Sequence, residues 1–337
     1  MTIGAPDSSV GAEETPAPIA EARPKVVAHG KSPTRIALGR LRKDKVAVVC
    51  SVIILFFILV AIFAPVLAAI EGQDPYTNHT ELISSSTLLP DFAANSEHWF
   101  GVEPRSGRDL FARWVYGARP SLIVSFVATI VGGVVGVTMG LLAGFLGGWV
   151  DRVISWIIDF LLSLPFLLFA IAMVPIVESW RGGSFNLSPS EQADIRFYVL
   201  IFVLAFFGWA GLARIVRGEV LSLREREFVL AAKAIGVPTH RVLIKELLPN
   251  LVAPIVISLS LALPAYVAAE AGLSFLGVGL VEPTPSWGQT IASATNYFQT
   301  FPLYLWIPVV GITILVLALA LLGDAVRDAF DPKTRQR

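Results

Sequence analysis

Two acidic residues, Asp159 and Glu270, lie inside long apolar stretches of this sequence. An ionisable side chain is costly in an apolar medium, so it is kept there either by a structural partner or by a function. Asp159 is near one end of its stretch, where it can pair with Arg152 or another basic group. Glu270 lies deeper, where it can satisfy the backbone of a broken helix or face a polar cavity that a substrate enters. Both interpretations of Glu270 stay open.

No other combination of reactive residues indicates catalysis. The four histidines form no HExxH pattern, and the single cysteine, Cys50, provides neither a disulfide nor a thiolate cluster. A GxxxxGK(S/T) phosphate loop is also absent from the sequence. We therefore predict that the chain is not an enzyme and has no metal, cofactor or nucleotide site of its own. Energy for any work must come from an ion gradient or a partner.

The composition is that of a membrane protein with several spans. Of the 337 residues, 55% are hydrophobic and 15% are charged, and the net charge is zero, which predicts no nucleic-acid partner. A helix of about 20 apolar residues crosses the hydrocarbon core of a lipid bilayer. The sequence predicts an all-α fold with six transmembrane helices. They cover residues 46–70, 121–146, 153–177, 197–215, 251–278 and 303–322.

The basic residues predict the orientation in a cell (inner) membrane. Lys and Arg cluster before the first span, between the fourth and fifth spans, and after the sixth. Cytoplasmic loops carry an excess of these residues, so both termini are predicted to be cytoplasmic. The predicted organisation is a disordered cytoplasmic tail, an interfacial helix with the first span, an extracytoplasmic loop, a transmembrane core and a second cytoplasmic tail. These segments are residues 1–31, 32–70, 71–117, 118–325 and 326–337.

Two kinds of residue shape the predicted spans. Glycines recur at every fourth position of the second span, which predicts close contact with another helix of this chain or of another subunit. They are Gly132, Gly136, Gly140 and Gly144. Prolines also lie within predicted spans, where they can kink helices in a protein that opens and closes or in a static bundle. They are Pro165, Pro254, Pro264 and Pro308.

A charged segment separates the fourth and fifth spans. It is residues 227–250, "EFVLAAKAIGVPTHRVLIKELLPN", and is called the insert below. The pattern predicts a first helix that ends at Gly236 and a second that begins at Pro238 and ends ahead of Pro249. Phe228, Ala231, Ala232 and Ile235 are predicted to share the apolar face of the first helix. Two short helices at a sharp bend form a compact knob that can dock in a groove, whereas a plain connector needs fewer residues.

The insert resembles a known coupling loop. "AAKAIG" at residues 231–236, followed by "LPN" at 248–250, resembles the EAA loop of permease subunits of ABC importers in the dipeptide, oligopeptide and nickel family. "GRDLFARWVYGAR", "SFLGVG" and "LLGDAVRDAFDP" also resemble that family, and the resemblance extends over residues 36–332. The position usually held by the motif's glutamate is Leu230 here, with Glu227 one turn earlier.

This resemblance implies a type I ABC importer permease fold and a C-type subunit that forms half of a translocation pathway for peptides, nickel or another small solute. It also implies a second homologous permease, two cytoplasmic ATP-binding subunits and an extracytoplasmic substrate-binding protein as partners. The coupling loop would cover residues 215–249 and contact the ATPase through Glu227, Ala231, Ala232, Gly236, Leu248 and Pro249. Two alternatives remain, an ion-coupled secondary transporter with Glu270 as the proton carrier and a nontransporting membrane scaffold.

Overall fold

A computed structural model describes residues 33–331, and the predicted tail at residues 1–31 lies outside them. The described part of the chain is helical and has no strand, only two isolated β-bridges. The predicted all-α fold is therefore confirmed. The helices are α1 (Pro33–Leu41), α2 (Lys45–Ile62), α3 (Ala64–Glu71), α4 (Leu110–Leu146), α5 (Gly148–Ser163), α6 (Phe166–Trp180), α7 (Pro189–Leu223), α8 (Glu227–Ala234), α9 (Thr239–Arg241), α10 (Leu248–Phe275), α11 (Trp287–Ala294) and α12 (Pro302–Phe330).

Five helical segments among the described residues are long and apolar enough to cross a membrane, and there are six if a bent pair counts as one span. The bent pair is α5 and α6, which meet at an angle of 90°. The bend falls at Leu164 and Pro165, which have extended backbones between the two helices. Pro165 therefore separates two helices where the sequence predicted one continuous span at residues 153–177.

The first predicted span is also divided. The sequence predicted one helix over residues 46–70, but α2 ends at Ile62 and α3 begins at Ala64. Phe63 lies between them outside the helical region, with φ of −92° and ψ of 12°. Pro65 occupies the first turn of α3, where its missing N–H costs no helical hydrogen bond.

α4 begins 11 residues before the predicted span, because charged residues in its first turns lowered the local hydropathy. Asp109 caps this helix, and its carboxylate accepts a hydrogen bond of 2.6 Å from the N–H of Ala112. The side chain of Arg119 donates to the carbonyl groups of Ala61 and Ile62 at 2.5 and 3.0 Å. These contacts satisfy charges that a hydropathy profile alone treats as breaks.

α4 and α7 form the centre of the described structure and run in the same direction. Gly132 faces Ala205, whereas Gly144, further along α4, faces Val220, further along α7. Two parallel helices require the intervening chain to return to the starting side. The bent α5–α6 pair provides that return, which agrees with six spans. α10, α12 and α2 pack around this central pair.

Candidate functional site

The first half of the insert is a helix with a well-defined C-terminal cap. α8 ends at Ala234, and Gly236 follows in the left-handed region with φ of 79°. The Gly236 N–H donates to the carbonyl of Lys233 at 3.0 Å, and the Val237 N–H donates to the carbonyl of Ala232 at 3.0 Å. This pair of bonds is the Schellman motif, which needs a left-handed residue where Gly236 stands. The sequence-predicted bend is present at this position.

The second half of the insert does not end before Pro249. α9 passes into a π-helical segment, Val242–Leu247, and this segment continues directly into α10. Pro249 lies just after the π-helical segment, in which the Leu248 N–H donates to the Leu243 carbonyl five residues back, and its missing N–H does not break the helix. The predicted separation between the second short helix and the fifth span is therefore wrong. Residues 239–275 form one continuous helical segment from the insert into the membrane span.

The insert is fixed to the rest of the chain by a small apolar core. Val229, Val242 and Leu247 are fully buried and pack with Val216 and Val220 of α7. This set differs from the predicted apolar face. Of that face, Ala232 is buried, whereas Phe228, Ala231 and Ile235 are exposed. α8 therefore turns Val229 and Ala232 inward, where they pack in a cluster with Leu141 of α4 and with Val216 and Val220 of α7.

Four large apolar side chains of the insert remain accessible. Phe228 is 40% exposed, Leu230 47%, Ile235 80% and Ile244 60%. Glu227 and Pro249 are also exposed, and Leu248 is half-buried. An exposed apolar group of this kind on a charged segment is typical of a surface that binds another protein. These four side chains are called the apolar cap of the insert below.

Two basic side chains connect the insert region to the end of α4. The Lys233 ammonium lies 4.6 Å from the centre of the Phe145 ring, a distance that allows a cation–π contact. Arg224, just before α8, donates to the carbonyl of Gly144 at 3.2 Å. Gly144 is in the last turn of α4, where helical carbonyl groups lack backbone partners. These two contacts hold the insert region against the end of α4.

Glu270 is fully buried and is a meeting point for three segments. Its carboxylate accepts hydrogen bonds from Ser121 of α4 at 2.5 Å, from Ser274 of α10 at 2.9 Å and from Ser286 before α11 at 3.2 Å. Ser274 in turn accepts the N–H of Leu280 at 3.0 Å. This arrangement matches the interpretation of Glu270 as a structural polar residue. The sequence placed Glu270 deep in an apolar stretch but did not indicate its three hydroxyl partners.

Asp159 pairs with a basic residue of another helix. The Arg214 guanidinium of α7 lies 2.5 Å from the Asp159 carboxylate, and both side chains are exposed. Arg152, which the sequence offered as a partner, is also exposed and is not the residue that binds Asp159. A second ion pair, which the sequence did not indicate, joins Arg217 of α7 to Asp151 of α5 through a bidentate salt bridge.

The four glycines of α4 all lie against α7. A side chain added at Gly140 would stand 2.7 Å from Val216, and one at Gly144 would stand 2.7 Å from Val220. At Gly136 it would lie 2.8 Å from the carbonyl oxygen of Trp209, whereas Gly132 has more room. The neighbouring helix is therefore in the same chain, which the sequence left open.

A cluster of charged residues around the start of α4 was not predicted from the sequence. Arg113 is 3% exposed and binds Glu103 at 2.6 Å and Glu282 at 2.7 Å. Arg108 also binds Glu282 at 2.7 Å. This network joins the segment before α4 to the segment before α11. Sequence spacing gave no signal for it, because Arg113 and Glu282 are 169 positions apart.

Two family models together match most of the chain. The model of the binding-protein-dependent transport system inner membrane component matches residues 136–336, which is more than half of the chain. A second model, the N-terminal transmembrane domain of oligopeptide transport permease C, matches residues 32–90. The chain belongs to the family of dipeptide and oligopeptide ABC importer permeases. Members of this family are transport components of the inner cell membrane and work with another permease, ATPases and a binding protein.

Several curated relatives cover nearly the whole permease. The dipeptide transport system permease protein DppC of Alkalihalophilus pseudofirmus is 38% identical over 90% of this chain and 91% of its own length. The oligopeptide transport system permease protein OppC of Bacillus subtilis is 32% identical over 89% and 90%. The glutathione transport system permease protein GsiD of Shigella dysenteriae is 35% identical over 88% and 89%.

A solved structure shares the fold. A chain of the MetNI methionine ABC transporter, in an inward-facing conformation, aligns with a TM-score of 0.50 at 22% sequence identity. The alignment covers 65% of this permease and 96% of that chain. At this level of identity the similarity concerns the fold alone, and it confirms the predicted ABC importer permease fold.

Proposed function

We propose that this permease forms half of the membrane pathway of an ATP-driven importer of peptides, and that its insert receives the movement of the cytoplasmic ATPases. The observation that carries the proposal is the continuity of residues 239–275. Because no loop separates the second half of the insert from α10, a displacement of that half is delivered directly to a membrane helix. A flexible connector would absorb the same displacement.

The apolar cap is the surface proposed to contact an ATP-binding subunit. Ile235 and Ile244 are its two most exposed members, and Ile235 directly precedes the bend at Gly236. Leu230 of α8 is also exposed, at 47%, and stands where the family motif usually has glutamate. We infer an apolar contact at this position instead of an ionic one. Glu227, Ala231, Ala232, Leu248 and Pro249 would frame or support the contact.

The remaining partners are proposed from the family, and the orientation from the basic residues. The insert would lie in the cytoplasm together with both termini, as the distribution of basic residues predicts. A second, homologous permease would complete the pathway, two ATP-binding subunits would dock on the two inserts, and a binding protein would deliver substrate from outside. Peptides are the proposed substrates because the relatives named above carry dipeptides, oligopeptides and glutathione.

Glu270 does not have the surroundings of a proton carrier. A carrier must exchange protons with water on both sides of the membrane, whereas Glu270 is fully buried and held by three serine hydroxyl groups. This favours ATP-driven transport over the ion-coupled alternative. A measurement of substrate flux across the membrane distinguishes both transport mechanisms from a nontransporting scaffold.

The docking proposal is tested by co-purification. The whole complex is purified through a tag on this chain, and retention of the ATP-binding subunits is compared for wild type, Ile235→Asp and Leu38→Asp. Leu38 is a matched control, because it is 51% exposed but lies on α1, away from the insert. Ile235→Asp should lose most of the ATPase, since an aspartate carboxylate would be buried in an apolar contact.

Retention of the ATPase by the Ile235→Asp variant at the wild-type level would contradict docking through the apolar cap. Equal loss from Leu38→Asp would show that the effect is general damage to the membrane domain and not a contact of the insert. Recovery of wild-type chain without any ATP-binding subunit would count against the proposed importer as a whole.

A further inference from the structure

A cavity of about 270 Å³ lies between α4, α7 and α10. Its walls include Gly132 and Gly133 of α4, Gly208 of α7, and Ser258 and Tyr266 of α10. These positions are near the middle of their helices, so the cavity is at mid-membrane depth if each helix crosses the bilayer. No charged side chain is among the described residues that line it.

Two hydroxyl groups in the cavity have no hydrogen-bond partner among the described residues. Most hydroxyl groups of the central helices bind a carbonyl of their own helix, as Thr129 does with Ser125 at 2.7 Å and Ser260 does with Ile257 at 2.9 Å. Neither Ser258 nor Tyr266 makes such a bond within residues 33–331. An unpaired hydroxyl in a membrane domain is unfavourable unless water or a ligand satisfies it.

The two hydroxyl groups lie on the same side of α10. Eight residues separate them, which places them about 12 Å apart along the helix and about 80° apart around it. Both therefore face the cavity from one wall, at different depths. A ligand that passes along α10 would meet them in turn.

The hydroxyl of Tyr266 is held over Gly208. A methyl group added at Gly208 would stand 1.6 Å from the Tyr266 oxygen, so the phenol occupies the space that any other residue at 208 would fill. Glycine at 208 thus allows the hydroxyl to reach across the cavity from α10 to α7. Gly211, one turn further along α7, has no atom within 4 Å of the corresponding position.

We propose that Ser258 and Tyr266 are substrate-binding residues of the pathway, whose hydroxyl groups hydrogen-bond the backbone amide groups of a peptide in transit. An uncharged wall with separate hydroxyl groups suits neutral C=O and N–H groups, and it neither attracts nor repels a particular charged side chain. Such a site accepts peptides of differing sequence. The inference rests on the proposed transport of peptides and adds the chemical group that is recognised.

The test uses the complete complex, reconstituted in liposomes with its binding protein, and measures peptide uptake per ATP hydrolysed. Tyr266→Phe and Ser258→Ala each remove one hydroxyl, and each should lower this ratio about three- to tenfold, the value of one neutral hydrogen bond. The loss should be equal for peptides with acidic, basic and apolar side chains. Ser260→Ala is the matched control, since its hydroxyl already binds its own helix, and it should leave the ratio unchanged.

A second pair of variants checks the geometry. Gly208→Ala should reproduce the deficit of Tyr266→Phe by displacing the phenol, whereas Gly211→Ala should have no effect. Unchanged uptake per ATP in Tyr266→Phe and Ser258→Ala would overturn the inference, and so would a deficit confined to one class of peptide side chain. An equal deficit in Ser260→Ala would also overturn it. If the wild-type complex imports no peptide at all, the proposed function fails before these variants are compared.

Discussion

The bend at Gly236 allows the coupling proposal to be tested by a graded perturbation. Gly236 has φ of 79°, and a side chain added there would have no atom within 4 Å. A substitution therefore costs backbone strain without a clash inside the chain. Left-handed geometry costs an ordinary residue about 1–2 kcal/mol, a β-branched residue more, and asparagine less. About 1.4 kcal/mol corresponds to a tenfold change in the population of the bent conformation.

The expected order of ATP-dependent uptake is wild type, then Gly236→Asn, then Gly236→Ala, then Gly236→Val. The alanine variant should lose roughly fivefold to tenfold and the valine variant more than tenfold, provided that the bent conformation is the one that couples. Expression and binding of the ATPase are measured beside uptake. Gly218→Ala and Gly218→Val are the controls, because position 218 is helical and also has no atom within 4 Å.

Two results would refute this reasoning. One is normal uptake by Gly236→Val at normal expression, which would show that the bend is not needed for coupling. The other is a loss that does not follow the order of left-handed strain, for example a Gly236→Asn variant that is worse than Gly236→Val. A similar loss in the Gly218 variants would point to a general sensitivity of this end of the membrane domain.

Three further predictions concern stability, each measured by thermal unfolding in detergent. Gly140→Ala should lower the free energy of unfolding by about 1–3 kcal/mol, because the new methyl group meets Val216 at 2.7 Å. Gly218→Ala, where the added methyl group has open space, should be neutral or slightly stabilising. Equal effects of the two substitutions would contradict close packing as the cause. Glu270→Ala should cost about 2–4 kcal/mol because three serine hydroxyl groups lose their acceptor, and a neutral result would contradict that role. Burial raises the pKa of Glu71 from 4.5 to about 7, so the stability of the folded protein should fall as the pH rises between those values. Glu71→Gln should flatten this dependence of stability on pH. An unchanged slope in that variant would contradict the raised pKa of Glu71 as its cause.

Features set by neighbouring residues could be predicted from the sequence. The helical character follows from apolar stretches long enough to cross a bilayer. The cap at Gly236 follows from one glycine and one proline, since only a left-handed residue closes that turn. The contact of α4 with another helix follows from a four-residue repeat of glycine. In each case the cause lies within a few residues of the effect.

Features that depend on distant residues could not be predicted. The partners of Glu270 include Ser121, which is 149 positions away, and Arg113 binds Glu282 across 169 positions. The buried face of α8 is set by Val216 and Val220, which belong to another helix. Tertiary packing selects among faces and partners that local pattern leaves equivalent, so the exposed apolar cap emerged only from the structure.

The central claim is that this chain carries peptide across a membrane at the expense of ATP hydrolysed by its partners. The most direct measurement is uptake of a labelled peptide by liposomes that contain the complete complex and the binding protein, with ATP, without ATP, and with a pH gradient alone. The account predicts uptake with ATP only, and none from liposomes that contain this chain by itself. Uptake driven by the pH gradient and indifferent to ATP would contradict it.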